Sequence, residues 1–242
     1  MKNEHPNPMK TYGALDGAFD FFNKKLFRGE LRHCLITVQR RRTACGFFFP
    51  ARFRSHDETD IADEIGLDPR YWGPPGTDTD NLSTLVHEMV HLWQHHYGKS
   101  GRGGYHNLQF FRKMGDVGLI ASDTGAPGGK RCGQRMSHYI AAGGPFDRAC
   151  AELLSGGFVI PYVEIISQAD KKRRELMLRR LSRAASKTTY VCPNHMEVRA
   201  WGKPGLLLKC GLCEEPLESW GFSGREEAWS PLGIMVGIGE PK

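Results

Sequence analysis

His87-Glu88-Met89-Val90-His91 sets two imidazoles and a carboxylate at a spacing that suits a metal ion. On a helix, positions i and i+4 share a face, so both rings reach one cation. Glu88 then lies beside the ion, where a carboxylate takes a proton from bound water. Leu82, Leu85, Val86, Met89 and Val90 surround the motif and predict a helix buried in the core. Idle histidines and a glutamate there would be costly, because buried polar groups need partners. The competing reading is an exposed, His-rich helix continued by His95 and His96.

A catalytic zinc takes three protein ligands and keeps a fourth position for water. His95 continues the i+4 series, but a straight helix carries it about 12 Å from His87, too far to share one ion. His106 follows the glycine-rich break Lys99 to Gly104, where the chain can turn back, and His138 is the reserve. A glutamate ligand on a following helix fares poorly, since no Glu occurs between Glu88 and Glu152. An oxyanion donor should complete such a site, with Tyr97, Tyr105, His138 and Tyr139 as candidates.

A second constellation lies near the C-terminus. Cys192-Pro193-Asn194-His195 and Cys210-Gly211-Leu212-Cys213 form C-x2-H and C-x2-C pairs. Four soft ligands in two close pairs predict a closed, tetrahedral structural zinc. So short a module has little core of its own, so the metal would supply much of its stability. Cys34, Cys45, Cys132 and Cys150 form no such pattern and read as small core residues.

The elements that must position these groups follow from periodicity. Residues 12 to 29 read as an amphipathic helix through Leu15, Phe19, Phe22 and Leu26, stopped by Gly29. Leu35–Val38 and Gly46–Phe53 read as strands joined in a hairpin across Arg40-Arg41-Arg42, with Ile65-Gly66-Leu67 as a third, shorter strand. The motif helix starts near Asp80 or Asn81 and ends at Gly98, and a third helix covers Asn107 to Gly118. Ser122 to Gly157 reads as glycine-rich and irregular, its TGAPGGKRCGQ stretch lacking Walker spacing and serving as a possible lid. An apolar run, Phe158 to Ile166, then leads into a basic helical stretch.

Length and composition bound the rest. The 242 residues, 40% hydrophobic and 25% charged, fit one or two globular domains and exclude wholesale disorder. No apolar run approaches the roughly 18 residues of a membrane span. A polar start and an odd number of cysteines point to no secretory signal and a reducing cytoplasm. The net charge of +6 is concentrated between Asp170 and Lys187, where eight basic residues face two acidic ones. Lys171, Lys172, Arg173, Arg174, Arg179, Arg180 and Arg183 there read either as a phosphate-gripping face or as a solvated linker helix.

These residues resemble the SprT-like zinc metallopeptidases, relatives of the Spartan DNA–protein crosslink proteases. The resemblance rests on Phe27-Arg28-Gly29-Glu30-Leu31, on Ala44-Cys45-Gly46-Phe47, and on Thr84 to His91 with Tyr105-His106-Asn107-Leu108-Gln109-Phe110. It also rests on the terminal ribbon, in which His195 stands where the family usually has Cys. It covers about 12 to 118 and 188 to 218, and 119 to 187 departs from a minimal SprT domain.

It implies His87, His91 and His106 as catalytic zinc ligands and Glu88 as the base that assists attack of zinc-bound water on a peptide. It implies an α+β, zincin-like domain over 10–120, with a small antiparallel sheet packed on the metal-bearing helix. A Gly-rich insertion and basic linker helix over 121–187, a zinc ribbon over 188–220 and a tail over 221–242 complete the expected organisation. The expected cofactors are one catalytic and one structural Zn2+, and the expected partners a protein substrate and DNA, with no membrane. The expected setting is the cytoplasm, at the nucleoid if the source is bacterial. The rival reading is a zinc- and nucleic-acid-binding scaffold in transcription or repair, with little or no turnover.

Overall fold

The computed structural model describes residues 7–41, 44–72, 78–165, 167–172, 176, 188–203 and 206–219. Contacts divide the chain into two units, Met1–Ser186 and Lys187–Lys242.

The first unit opens with helix α1, Pro8–Leu26, capped by the Asn7 side chain, which accepts from the Met9 N–H. Proline suits the first turn because its missing N–H would be unpaired there anyway. This cap starts the helix four residues before the expected Tyr12. Leu15, Ala18, Phe19 and Phe22 are buried. The helix ends through Gly29, whose φ of +73° few other residues adopt and whose N–H reaches the Asn23 carbonyl. The buried Asn23 amide also bonds both backbone groups of Leu31 and so fixes the turn out of the helix.

Strands β1 (Leu35–Val38), β2 (Gly46–Arg54) and β3 (Ile61–Leu67) form a sheet in the order β1-β3-β2. The expected hairpin between the first two is not formed: β3 lies between them, parallel to β1 and antiparallel to β2. The sheet is therefore mixed rather than antiparallel, and its third strand is central and seven residues long. Asp63 and Glu64 hide this strand in the sequence by interrupting its apolar pattern. Both are buried because both have partners. Glu64 accepts from Thr37 Oγ1 and Gln39 Nε2, each at 2.6 Å, on one face. Asp63 shares the opposite face with Ile65 and Leu67, as the two-residue period of a strand requires.

That inner face packs on helix α2, Asp78–Tyr97. Leu82, Leu85, Val86, Met89, Val90 and Leu92 of this helix are all 1% exposed or less, the centre of one core. Helix α3 (Leu108–Asp116) follows, capped by Asn107.

The segment expected to be irregular carries β4 (Leu119–Ser122), β5 (Ser137–Ile140) and helix α4 (Pro145–Ser155). β4 and β5 pair antiparallel, Leu119 opposite Ile140. Four-residue strands are too short to show a period among glycines, and only their pairing reveals them. Gly118, at φ +87°, lets the chain pass so close that a Cβ would meet the Phe146 nitrogen at 2.8 Å. The apolar run after α4 forms neither helix nor strand over Phe158–Ile165.

The second unit is a three-stranded antiparallel sheet, β7-β6-β8, of Thr188–Val191 (β6), Arg199–Gly202 (β7) and Glu218–Ser219 (β8). Its small core is Tyr190, Cys192, Cys210 and Leu217. The molecule is thus α+β with small sheets. Among the described residues no helix is long and apolar enough to cross a membrane.

Candidate metal centres

The sequence of α2 puts His87 and His91 on one face, and the fold brings His106 back to them. Ligand atoms of the three lie within 4.8 Å of one another. The return depends on the turn after α2, where Gly103 and Gly104 take φ of +60° and +76°. His106 is then pinned to the 119–137 segment by a two-way backbone pairing with Gly133. Phe110, one turn into α3, lies under all three imidazoles, with centroids 4.3 to 5.1 Å away.

The hydrogen bonds fix which ring nitrogens are bare. His106 Nδ1–H donates to the Gly133 carbonyl at 3.1 Å, which leaves Nε2 as a lone pair. Ser83 Oγ–H donates to the Asp80 carbonyl, so this hydroxyl accepts from His138 Nε2–H at 2.9 Å. Burial pushes the His138 imidazolium down to about 4, so the ring is neutral and its Nδ1 is an acceptor. His87 Nδ1–H must then donate to it, at 3.1 Å, which frees His87 Nε2. His91 Nε2 stands 3.0 Å from the bare His106 Nε2. Two lone pairs so close repel unless a proton or a cation lies between them. Imidazole nitrogens around zinc at about 2.0–2.1 Å stand a little over 3 Å apart, so the donor set fits a zinc ion.

Burial holds His87 well below its ordinary value, His91 at about 3 and His106 lower than usual, all as neutral ligands. Glu88 points instead toward the sheet, beside Gly46 at the start of β2. It is 6% exposed. Burial alone raises it to about 8.

Of the four oxyanion candidates, only His138 lies against the triad. Tyr97 spends its hydroxyl on the Glu30 carbonyl and is half exposed, as is Tyr105. Tyr139 alternates away from His138 along β5. Sequence reasoning missed Gln94. Almost fully buried, it donates to Asn107 Oδ1 (2.8 Å) and Gln109 Oε1 (3.2 Å). Asn107 in turn caps α3 and donates to the Lys99 carbonyl, so the network braces the loop that presents His106. A helix cap just after His106 was the available signal.

In the second unit Cys192, His195, Cys210 and Cys213 converge. Cys192 Sγ lies 3.6 Å from Cys213 Sγ, and His195 Nδ1 is 3.7 Å from both Cys192 Sγ and Cys210 Sγ. The edges of a tetrahedron with zinc–sulfur bonds of about 2.3 Å are roughly 3.7 Å long, so these four fit a closed zinc site. The Leu212 N–H bonds to Cys210 Sγ at 3.4 Å and helps draw that thiol down to about 6, toward the ligating thiolate.

The expected nucleic-acid residues are less completely placed. Lys171 and Lys172 are exposed. Arg173, Arg174, Arg179, Arg180 and Arg183 lie outside the described residues, as does Arg42. Arg40 pairs with Glu164, and the Arg41 guanidinium lies 3.9 Å over the Phe47 ring, so both have structural partners.

Comparison with known proteins adds one relative and no activity. The chain is 45% identical over 60 residues to an uncharacterized protein in the mucB 3' region of Salmonella typhimurium, a match spanning 25% of this chain and 80% of that protein. No protein-family model matches the chain. No solved structure matches it.

Proposed function

The chain belongs to one family with that uncharacterized Salmonella typhimurium protein, a kinship that carries no activity, and we propose from the site itself a zinc-dependent metallopeptidase of SprT-like type. The observation that carries the reading is Glu88. A carboxyl in so dry a setting is costly to ionise, and burial raises Glu88 to about 8. Next in sequence to His87, whose imidazole converges with two others, it has a use as a proton carrier that a purely structural site does not require.

In this reading His87, His91 and His106 hold the ion of a zincin-like domain over 10–120. Zinc bound there supplies Lewis acidity, which acidifies water and polarises a peptide carbonyl. Glu88 accepts the proton of the attacking water and returns it to the leaving amine. His138, backed by Ser83, holds His87 in the ligating tautomer. β2 is an edge strand that begins at Gly46 beside Glu88. An extended peptide pairing along its open side would run past the carboxylate.

The substrate class rests on charge. The basic stretch within 121–187 and the zinc ribbon over 188–220 suit binding to DNA, and direct the protease to DNA-associated proteins in the cytoplasm. The purified chain and its Glu88→Gln variant, each incubated with a DNA-crosslinked protein with and without free DNA, test this. Cleavage that needs DNA and is lost in the variant supports the proposal. Equal DNA binding with no cleavage by either protein overturns it in favour of a zinc- and nucleic-acid-binding scaffold.

A further inference from the structure

A third group of potential ligands lies away from both centres. Asp63, His95 and His96 bring ligand atoms within 4.8 Å of one another. Asp63 is on the inner face of β3, and the two histidines are in the last turn of α2.

Three observations point to a cation. The first is the carboxylate's support. Asp63 Oδ1 accepts from the Ala51 N–H at 2.8 Å, at the irregularity in β2 where Ala51 takes a φ of +50°. This leaves Oδ2 in a direct 2.6 Å hydrogen bond with His96 Nε2, a contact that a bound ion would replace by moving the two atoms to roughly 3 Å or a little over. A carboxylate oriented by a backbone N–H is the outer-shell support that metal ligands commonly have.

The second is the histidine pair. Consecutive helix residues diverge by about 100°, yet these rings have centroids 4.8 Å apart, and a ring nitrogen of each lies within 4.8 Å of a carboxylate oxygen of Asp63. A bond between Asp63 and His96 uses one histidine and leaves the ring nitrogens of the second, whose ring packs against Phe48, available to an ion. The third is access. The Asp63 and His96 side chains are 10% and 18% exposed, whereas His95 is open to solvent with its ring against Phe48. An ion thus has an entry path from solvent.

We propose that Asp63, His95 and His96 form a third divalent-cation site. Two imidazoles and one carboxylate match zinc at three protein ligands. The ion would tie the end of α2 to the central strand of the sheet, independently of any peptidase activity.

The test is equilibrium dialysis of the full chain against buffered micromolar zinc, followed by metal analysis of the wild type, His95→Ala and Asp63→Asn. Asn preserves the shape of Asp and an acceptor for the Ala51 N–H, and His95 is exposed, so both variants should fold. Each is expected to bind one zinc fewer than the wild type. If either variant binds as many ions as the wild type, the pair is an ion pair only and the proposal falls. The difference decides rather than the total, so a failure of the His87 triad to bind would be seen separately in a His91→Ala variant.

Discussion

Gly46 and Glu88 are in contact so close that a side chain on the first would press on the carboxylate of the second. A Cβ on Gly46 would lie 3.1 Å from both Cγ and Oε1 of Glu88, and 2.9 Å from Thr84 Cγ2. The first residue of β2 is thus fitted to Glu88 on the facing helix. Gly46→Ala should lower stability by about 1–3 kcal/mol, the usual range for overpacking. The proposed peptidase activity should fall further than stability alone explains, because Glu88 must move. Thermal unfolding and a cleavage assay on the same sample check this, and a fully active, equally stable variant would contradict the fit.

His138 touches the triad through His87, and in the proposed site it positions that ligand. His138→Ala removes the acceptor for His87 Nδ1–H, and zinc affinity at the triad should drop by about 10–100-fold. Ser83→Ala, one bond further out, should have a smaller effect in the same direction. Competition with a chelator measures both, and an unchanged affinity would remove His138 from the site.

The pH dependence of the metal-free protein has a definite shape. His87, His91, His106 and His138 are all held below 6.5 by burial. Below about pH 6.5 the unfolded chain takes up protons there that the folded chain does not, so acid destabilises the fold. Glu88 works the other way. Raised from 4.5 to about 8, it contributes stability below about pH 4.5 that is lost as the pH climbs through 8. Four histidines outweigh one carboxyl on the acid side, and the opposing slopes balance so that stability should peak at about pH 7. Urea midpoints of the first unit across this range test the curve, and Glu88→Gln should flatten its alkaline limb and steepen its acid limb.

Removing the ion from the second unit should unfold that unit. Its core is four residues, two of them the cysteines Cys192 and Cys210, and structural zinc supplies folding free energy in such modules. Cys210→Ser should lose one zinc and the hydrogen-exchange protection of β6, while α2 keeps its protection. Protection retained in β6 without zinc would show that the sheet stands alone.

Local chemistry was legible in the sequence because local geometry is fixed. The helical period puts His87 and His91 on one face, two-residue gaps pair Cys192 with His195 and Cys210 with Cys213, and Gly29 ends a helix by its own φ. What the tertiary structure alone decided is every relationship carried across the chain. It inserted β3 between two strands expected to pair, and made Asp63 and Glu64 interior residues by giving them partners. It also set His138 against His87 across 51 residues and His96 against Asp63 across 33. Such contacts follow from which strand covers which face of α2, and that is settled by the burial of the whole core, which no short window of residues contains.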